Sequence, residues 1–585
     1  VLGGISAYQA MPRQMDPGFI IRVAMIVTNF PGASPERVEN LITDPIEEVA
    51  KEIPELDFVS STSRSGQSVV LVSIREEFRD MDPIWNDLRN SIDDIRGTLP
   101  DGIIGPQVND DFGDTYPLLY TITADAGFTD RELEDIADAV KDELLRDRDV
   151  AKVDILGAQD ERVFIYYDNA RLTQLGVSPL QLQSLLAARN IILPGGELNL
   201  AGEAIVLEPS GNFQTVDEVR RTLLQRPGGE RVALGDLVEV ERGTVDPPVG
   251  QVRSEDTRGL TLAVSMSEGG NLLELGTRVR ATFGGLPTQY PHGIDFVETY
   301  FQPAEVDKKV DDFIESVLQA IAIVLGVMLL SLGLRTGLVV SALIPTTMII
   351  AILVMSVVGI QIDQMSLAAL IIALGLLVDN ALVVSEATLV GMQEGQSPFE
   401  ATVAAAKELQ VPLLTSSLTT AAAFLPIYLA ESAVGEYTGV LFEVVTITLL
   451  ISWLLALTFI PLLCTVFLKV SPREEGSDAF DTPFYRTYRA VLGVFLRGRW
   501  LTIAAVVVAF VLGMQLFGLI PNIFFPPREG AFFMAQLKMP PAARFEETQA
   551  MIEDVDGFIR DELAVDAPCC LVNSLDLVVE LVGGG

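Results

Sequence analysis

Six long apolar runs, near 313–334, 338–360, 366–390, 411–430, 437–468 and 501–520, constrain this chain more than any other feature. A helix needs about 20 mostly apolar residues to cross a hydrocarbon core. Inside that core every backbone polar group must find its partner within the segment, which selects helices for isolated apolar runs. The runs are therefore predicted to be transmembrane helices. From Pro12 to Val310 the chain is mixed and charged instead, without one such run. This division accounts for two figures that conflict in a single soluble globule: 49% of residues are apolar, yet the formal net charge is -39. The chain should thus combine a lipid-soluble region with a large acidic, water-soluble one. Such acidity offers no field for phosphates and argues against a nucleic-acid partner.

In the water-soluble region the pattern runs strand, helix, strand. FIIRVAMIV alternates apolar residues, SPERVENLITDPIEEVAKEI has helical spacing, and SVVLVSI alternates again. PLLYTITA, TDRELEDIADAVKDELL and AKVDILG make a second unit. Ser34 before Pro35 and Thr129 before Asp130 are the expected helix caps, each followed by acids that suit the helix dipole. Small βαβ sandwiches are the predicted building block. A segment between Phe164 and Gly243 has strands and helices of its own and reads as an insert, because GLTLAVSM and DFVETY beyond it resume the earlier strand style.

Charge sets the orientation. The connections after the second and fourth runs carry Asp363, Glu431 and Glu436 but no Lys or Arg, whereas the others hold Arg335, Lys407, Lys469, Arg473, Arg486, Arg489, Arg497 and Arg499. By the positive-inside rule the second set faces the cytoplasm and the acidic region lies outside. An internal echo is also visible: FPGASPERVENLITDPIEEV returns as MPPAARFEETQAMIEDVDGFI, with Pro31 over Pro541, Ala33 over Ala543, Glu36 over Glu546 and Ile42 over Ile552. Such self-similarity marks duplicated transporters, so a whole protein of about twice this unit is expected. The chain opens on VLGGISAY without Met and closes on VVELVGGG. It reads as a piece at both ends, with residues 1–10 the outer end of a shortened membrane helix; a signal peptide would need a charged n-region and a cleavage site.

Asp379 is the residue with the most chemical content, since it falls mid-run in LIIALGLLVDNALVVSEA. A charged residue at the centre of a membrane helix costs about 2.5–3.5 kcal/mol on insertion scales, so it persists where it faces protein or water and is useful. The plain alternative is a carboxyl group that hydrogen-bonds a neighbouring helix. Asn380 cannot titrate, but its amide can donate to and accept from buried carboxyls. Glu386 lies two turns after Asp379 and points in nearly the same direction, which suggests a polar stripe; it could also be an interfacial acid at the helix end. Gly375, one turn before Asp379, suits close helix packing there. Glu443, Pro426 and Pro461 read as an end-of-helix acid and local kinks. The single histidine, His292, sits in a YPHG turn, which excludes a histidine-based metal site or triad in this chain. Cys464, Cys569 and Cys570 cannot make a disulfide framework. With no Walker motif, ATP is not an energy source within the chain, and no cofactor or metal is predicted.

GLLVDNALVVSEA resembles the fourth-helix motif of resistance–nodulation–division exporters, usually GLLVDDAIVVVEN. NFPGASPERVEN, LGLRTGLVVSALIP, FLPIYL, LTFIPLLCTVFL and IPNIFFPPREGAFF also match that family in order and spacing, over essentially the whole chain. The resemblance implies an α-helical multi-pass membrane domain plus an α+β periplasmic porter domain of βαβ sandwich subdomains with an inserted docking subdomain. It divides the chain into the end of a first membrane helix (1–10), a first porter subdomain (11–113), a second (114–160 and 246–305) and a docking insert (161–245). Membrane helices two to six (312–468), a cytoplasmic linker helix (469–499), helix seven (500–520) and the start of a second periplasmic repeat (525–585) follow.

It further implies a homotrimer in the bacterial inner membrane, in contact with membrane lipid, joined by a periplasmic adaptor and an outer-membrane channel. Proton passage at Asp379, with Asn380 and Glu386 as relay residues, would drive export of hydrophobic or amphiphilic compounds. The sequence departs from the usual motif at Asn380, where a second aspartate is common, and the family's basic relay partners belong to a second half. The metal-exporting branch usually reads aspartate–glycine at Asp379–Asn380, which favours organic cargo, although PLLYTI and DILGAQ hold none of the phenylalanines that line the best-known drug pockets. Competing readings are the same fold moving a metal ion, lipid or polypeptide, and a non-transporting membrane scaffold.

Overall fold

The computed structural model describes the chain apart from residues 1, 19, 111–114, 126, 175, 191–196, 201–202, 207–210, 226–228, 247, 249, 255–256, 268, 333, 469–482, 519–532, 537–538, 541–542, 564–568, 574–577 and 582–585. Lys469, Arg473 and the IPNIFFPPREG motif lie outside the described residues.

A short helix, α1 (Leu2–Ala10), leads into the first sheet: β1 (Val23–Asn29), β2 (Leu56–Arg64), β3 (Gln67–Ile74) and β4 (Ile104–Asn109), in the order β2-β3-β1-β4. β1 and β2 each pair antiparallel with β3, so they run parallel to each other on its two sides. The helical run from Pro35 to Ala50, with a π-helical turn at Glu39–Thr43, links β1 to β2. The unit is therefore a split βαβ in which β3 fills the gap. β1 alternates buried and half-buried residues, placing Ala24 and Ile26 against Ile42, Ile46 and, from helix α2 (Asp82–Ile95), Trp85 and Leu88. Full burial of one such side chain contributes roughly 1.5–3 kcal/mol. Ser34 stands at the N-cap position before Pro35 with an extended backbone, but its hydroxyl makes no capping bond, which corrects the expected cap.

The second sheet repeats the design. β5 (Leu118–Ala124), helix α3 (Asp130–Leu144) and β6 (Val150–Leu156) form another split βαβ around β8 (Thr257–Met266). Thr129 and Glu132 close a reciprocal capping box at the start of α3. β7 (Gly250–Ser254), helix α4 (Leu272–Gly285) and β9 (Ile294–Phe301) complete it, and β10 (Cys569–Asn573) from the far end of the chain adds to β7. Between the parts of this sheet, Glu161–Tyr166 pairs antiparallel with Glu239–Thr244, so segment 161–244 leaves and returns at one place. It encloses its own core around Leu172, Leu234 and Val240.

Among the described residues, six long helices form the apolar region: α5 (Gln302–Leu332), α6 (Leu334–Val358), α7 (Gln364–Gln393), α8 (Pro398–Ala422), α9 (Ala433–Phe467) and α10 (Arg499–Phe517), with shorter ones at Leu425–Tyr428 and Pro483–Arg497. Four of the described helices, covering Arg335–Val358, α7, α9 and α10, are long and apolar enough to cross a membrane. α9 packs against α6, α7 and α8, α1 lies on α6, and no residue of α10 is buried. The run near 411–430 differs from expectation. Its helix begins earlier, at a Ser397–Glu400 capping box, so Lys407 lies inside α8 rather than in a connection. The helix ends at Ala422 because Pro426 lacks the N–H that would reach that carbonyl. Pro345, Pro412 and Pro461 remain inside α6, α8 and α9, as membrane helices tolerate. A last helix, α11 (Phe545–Leu563), begins 510 residues after the helix at Pro35, and Ile42 and Ile552 are both buried.

Candidate functional site

The helix that carries Asp379 has two unlike faces. Leu370, Leu374, Leu377, Ala381 and Val384 of α7 are buried against neighbouring helices. Gly375, Asp379, Val383, Glu386 and Val390 are exposed and recur every three or four residues, one stripe along a 3.6-residue helix. Asp379 and Glu386 thus share a face, separated by about 10 Å of helix axis. A Cβ at Gly375 would meet nothing within 4 Å, so the close helix contact expected there is not made among the described residues. The stripe is uncovered by the other described helices, yet an apolar helix that spans a bilayer cannot leave a carboxylate against lipid without the insertion cost given above. In a membrane this face needs protein or water over it.

Asn380 belongs to the other face. Its side-chain amide is buried and donates to Ser452 Oγ of α9 at 3.2 Å and Ser417 Oγ of α8 at 3.4 Å. Ser452 in turn donates to the Leu377 carbonyl at 3.3 Å. The amide expected to contact buried carboxyls contacts serines instead, because one residue further along a helix is a turn of about 100°. Ser417 and Ser452 were not evident from the sequence; the only signal is hydroxyl residues recurring inside apolar runs, SSLTT and LLISWLL. Glu443 sits within α9, and His292 lies in an exposed turn. Among the described residues, no group of three His, Cys, Asp or Glu side chains is placed to hold a metal ion. The side chains of Cys569 and Cys570 lie outside the described residues, and Cys464 is a buried free thiol.

The same stretch of chain, from α1 through the sheets and membrane helices to β10, is matched by a family model described as AcrB/AcrD/AcrF, over residues 1–572. The chain belongs to the AcrB/AcrD/AcrF family. It is similar to the toluene efflux pump membrane transporter TtgB and the multidrug/solvent efflux pump membrane transporter MepB, both of Pseudomonas putida. Each is 26% identical over 604 residues, covering 98% of this chain and 57% of the relative. The antibiotic efflux pump membrane transporter ArpB of the same species is 26% identical over 607 residues, with the same coverage. The chain therefore spans just over half the length of these relatives. AcrB/AcrD/AcrF relatives such as these are efflux transporters rather than enzymes, and their family resides in the inner membrane.

Proposed function

We propose that the protein containing this chain is a proton-driven exporter of hydrophobic or amphiphilic compounds, with Asp379 as the proton carrier. The observation that carries the reading is the placement of Asp379 and Glu386 on the one polar stripe of α7 that the other described helices leave uncovered. A carboxylate held mid-membrane on such a face can take up and release protons where a basic partner or water covers it. The family resemblance supplies that cover from helices of a second half. Asn380 then acts indirectly, tying α7 to α8 and α9 so that movement of the stripe moves the bundle.

The sheets form the porter: 11–113 is the first subdomain, and 114–160 with 246–305 the second. The self-paired segment 161–245 is the docking insert, 525–585 opens a second periplasmic repeat, and this region faces the periplasm. The partners are two further copies in a homotrimer, a periplasmic adaptor and an outer-membrane channel. The names of the relatives, which mention toluene, solvents and antibiotics, support organic cargo. In cells lacking their own pumps, the full-length gene should raise tolerance to lipophilic compounds, and Asp379→Asn should abolish that tolerance at equal expression. Retained tolerance in the variant contradicts the role of Asp379, and protection only against a metal ion would reassign the cargo.

A further inference from the structure

The chain between α1 and β1 runs through the place where sheets and membrane helices meet, and it is tied on every side. Arg13 forms a parallel bridge with Ile362. Gln14 N–H donates to the Ile362 carbonyl at 3.0 Å, Ile362 N–H to Pro12 at 3.0 Å and Gln364 N–H to Met15 at 3.1 Å. These residues lead into α7, whose first turn is fixed by a buried capping box between Asp363 and Ser366. On the porter side, Leu272 N–H at the start of α4 donates to the Arg13 carbonyl at 3.0 Å, and Met15 packs on Leu272 and on Val306 of α5.

Further along, the same segment grips the first turn of α9. Tyr437 donates to Asp16 Oδ1 at 2.6 Å. Arg22, which directly precedes β1, forms a two-pronged ion pair with Glu436, Nη1 reaching Oε2 at 3.2 Å and Nη2 bonding Oε1. Its Nε donates to the Phe78 carbonyl at 2.8 Å, and Ile20 N–H approaches the same carboxylate at 3.5 Å. Arg22 is 6% exposed and Glu436 14%, so the pair is largely shielded from solvent. Arg79 adds a longer contact at 3.9 Å from a side chain that stays in water. A two-pronged arginine–carboxylate pair fixes orientation as well as distance.

We propose that segment 12–22 is the joint through which displacement of the α7–α9 pair reaches β1 and α4, with Arg22 and Glu436 as its positioning residues. A hydrogen bond at 3.2 Å from Asn380 to Ser452 ties α7 to α9, and Asp379 lies about 25 Å along α7 from the bridge at Ile362. A shift of either helix reaches this segment at both of its held parts, since backbone bonds fix residues 12–15 to the start of α7 and the ion pair fixes Arg22 to α9. β1 is central in its sheet, between β3 and β4, so a shift of Arg22 enters the middle of the first porter unit rather than its edge. The inference rests on the reading of Asp379 as the proton carrier.

The test is amide hydrogen exchange in the full-length transporter, comparing wild type, Asp379→Asn, Glu436→Gln and the double variant. Asp379→Asn, which fixes that position in a neutral state, should change exchange across residues 23–29 by roughly 3- to 30-fold. In the Glu436→Gln background that change should vanish. If Glu436→Gln does not fold, Tyr437→Phe takes its place, and the charge swap Arg22→Glu with Glu436→Arg should restore the response. An unchanged β1 in Asp379→Asn, or a change that persists without the ion pair, overturns the joint. Proton-linked dye transport by wild type is measured alongside: its absence counts against the exporter reading alone, since the exchange result does not depend on transport.

Discussion

Replacing Asn380 with alanine separates two roles that its position beside Asp379 confounds. The amide gives two hydrogen bonds, at 3.2 and 3.4 Å, to Ser452 and Ser417. Both are at or beyond the long end of the usual N–H···O range. Interhelical side-chain hydrogen bonds in membranes average about 0.6 kcal/mol and reach about 1.7. Ser452 keeps its bond to the Leu377 carbonyl after the change, so one hydroxyl stays satisfied. Two weak bonds and a small void then amount to roughly 1–2 kcal/mol. The measurement is thermal unfolding of the full-length protein in detergent, paired with proton-driven dye export. Asn380→Ala should unfold a few degrees lower and still export at a reduced rate, because its side chain faces α8 and α9 and not the Asp379 stripe. Abolished export with an unchanged unfolding temperature would contradict this packing role and return Asn380 to the relay.

Other perturbations test the packing and the porter. A Cβ at Gly4 would lie 2.2 Å from the Ile349 carbonyl oxygen of α6, whereas one at Gly3 would meet only Leu353 methyls at 3.7 Å. Gly4→Ala should therefore destabilise the α1–α6 contact by roughly 1–3 kcal/mol, read as a lower unfolding temperature, and Gly3→Ala should not. In the second sheet unit the hydrogen bond from Arg278 holds the Asp147 carboxyl below its usual range, against the opposing effect of burial. A depressed carboxylate stabilises the fold above its unfolded value, near 3.9, and loses that contribution as pH falls through its folded value. Arg278→Met should thus lower stability at neutral pH by no more than about 1 kcal/mol, given the arginine's exposure. It should also flatten the acid limb of an unfolding titration, and an unaltered limb would show the pair to be idle.

The apolar runs and alternating strands were legible because each is a local pattern with one physical reading. The strand Leu56–Arg64 escaped that reading: it is rich in serine and threonine, lies at the sheet edge and buries little. The early start of α8 was hidden because Glu400, Lys407 and Glu408 interrupt its alanine-rich first half and break the apolar run, while the Ser397–Glu400 box that begins it was present in the letters. Asp379 announced itself through its cost in hydrocarbon. The direction of Asn380 did not, since it depends on which neighbours α7 meets. Arg22 and Glu436 are 414 residues apart, and a charge inside FIIRVAMIV was the only hint that the strand's entrance had a partner.

The most direct test of proton-driven export places the full-length protein in vesicles and imposes a proton gradient, following extrusion of a lipophilic dye and proton flux together for wild type and Asp379→Asn. Proton coupling through Asp379 predicts dye extrusion that depends on the gradient in wild type, and loss of both dye and proton movement in the variant. Equal extrusion by the two proteins would contradict it and move the coupling carboxylate away from α7.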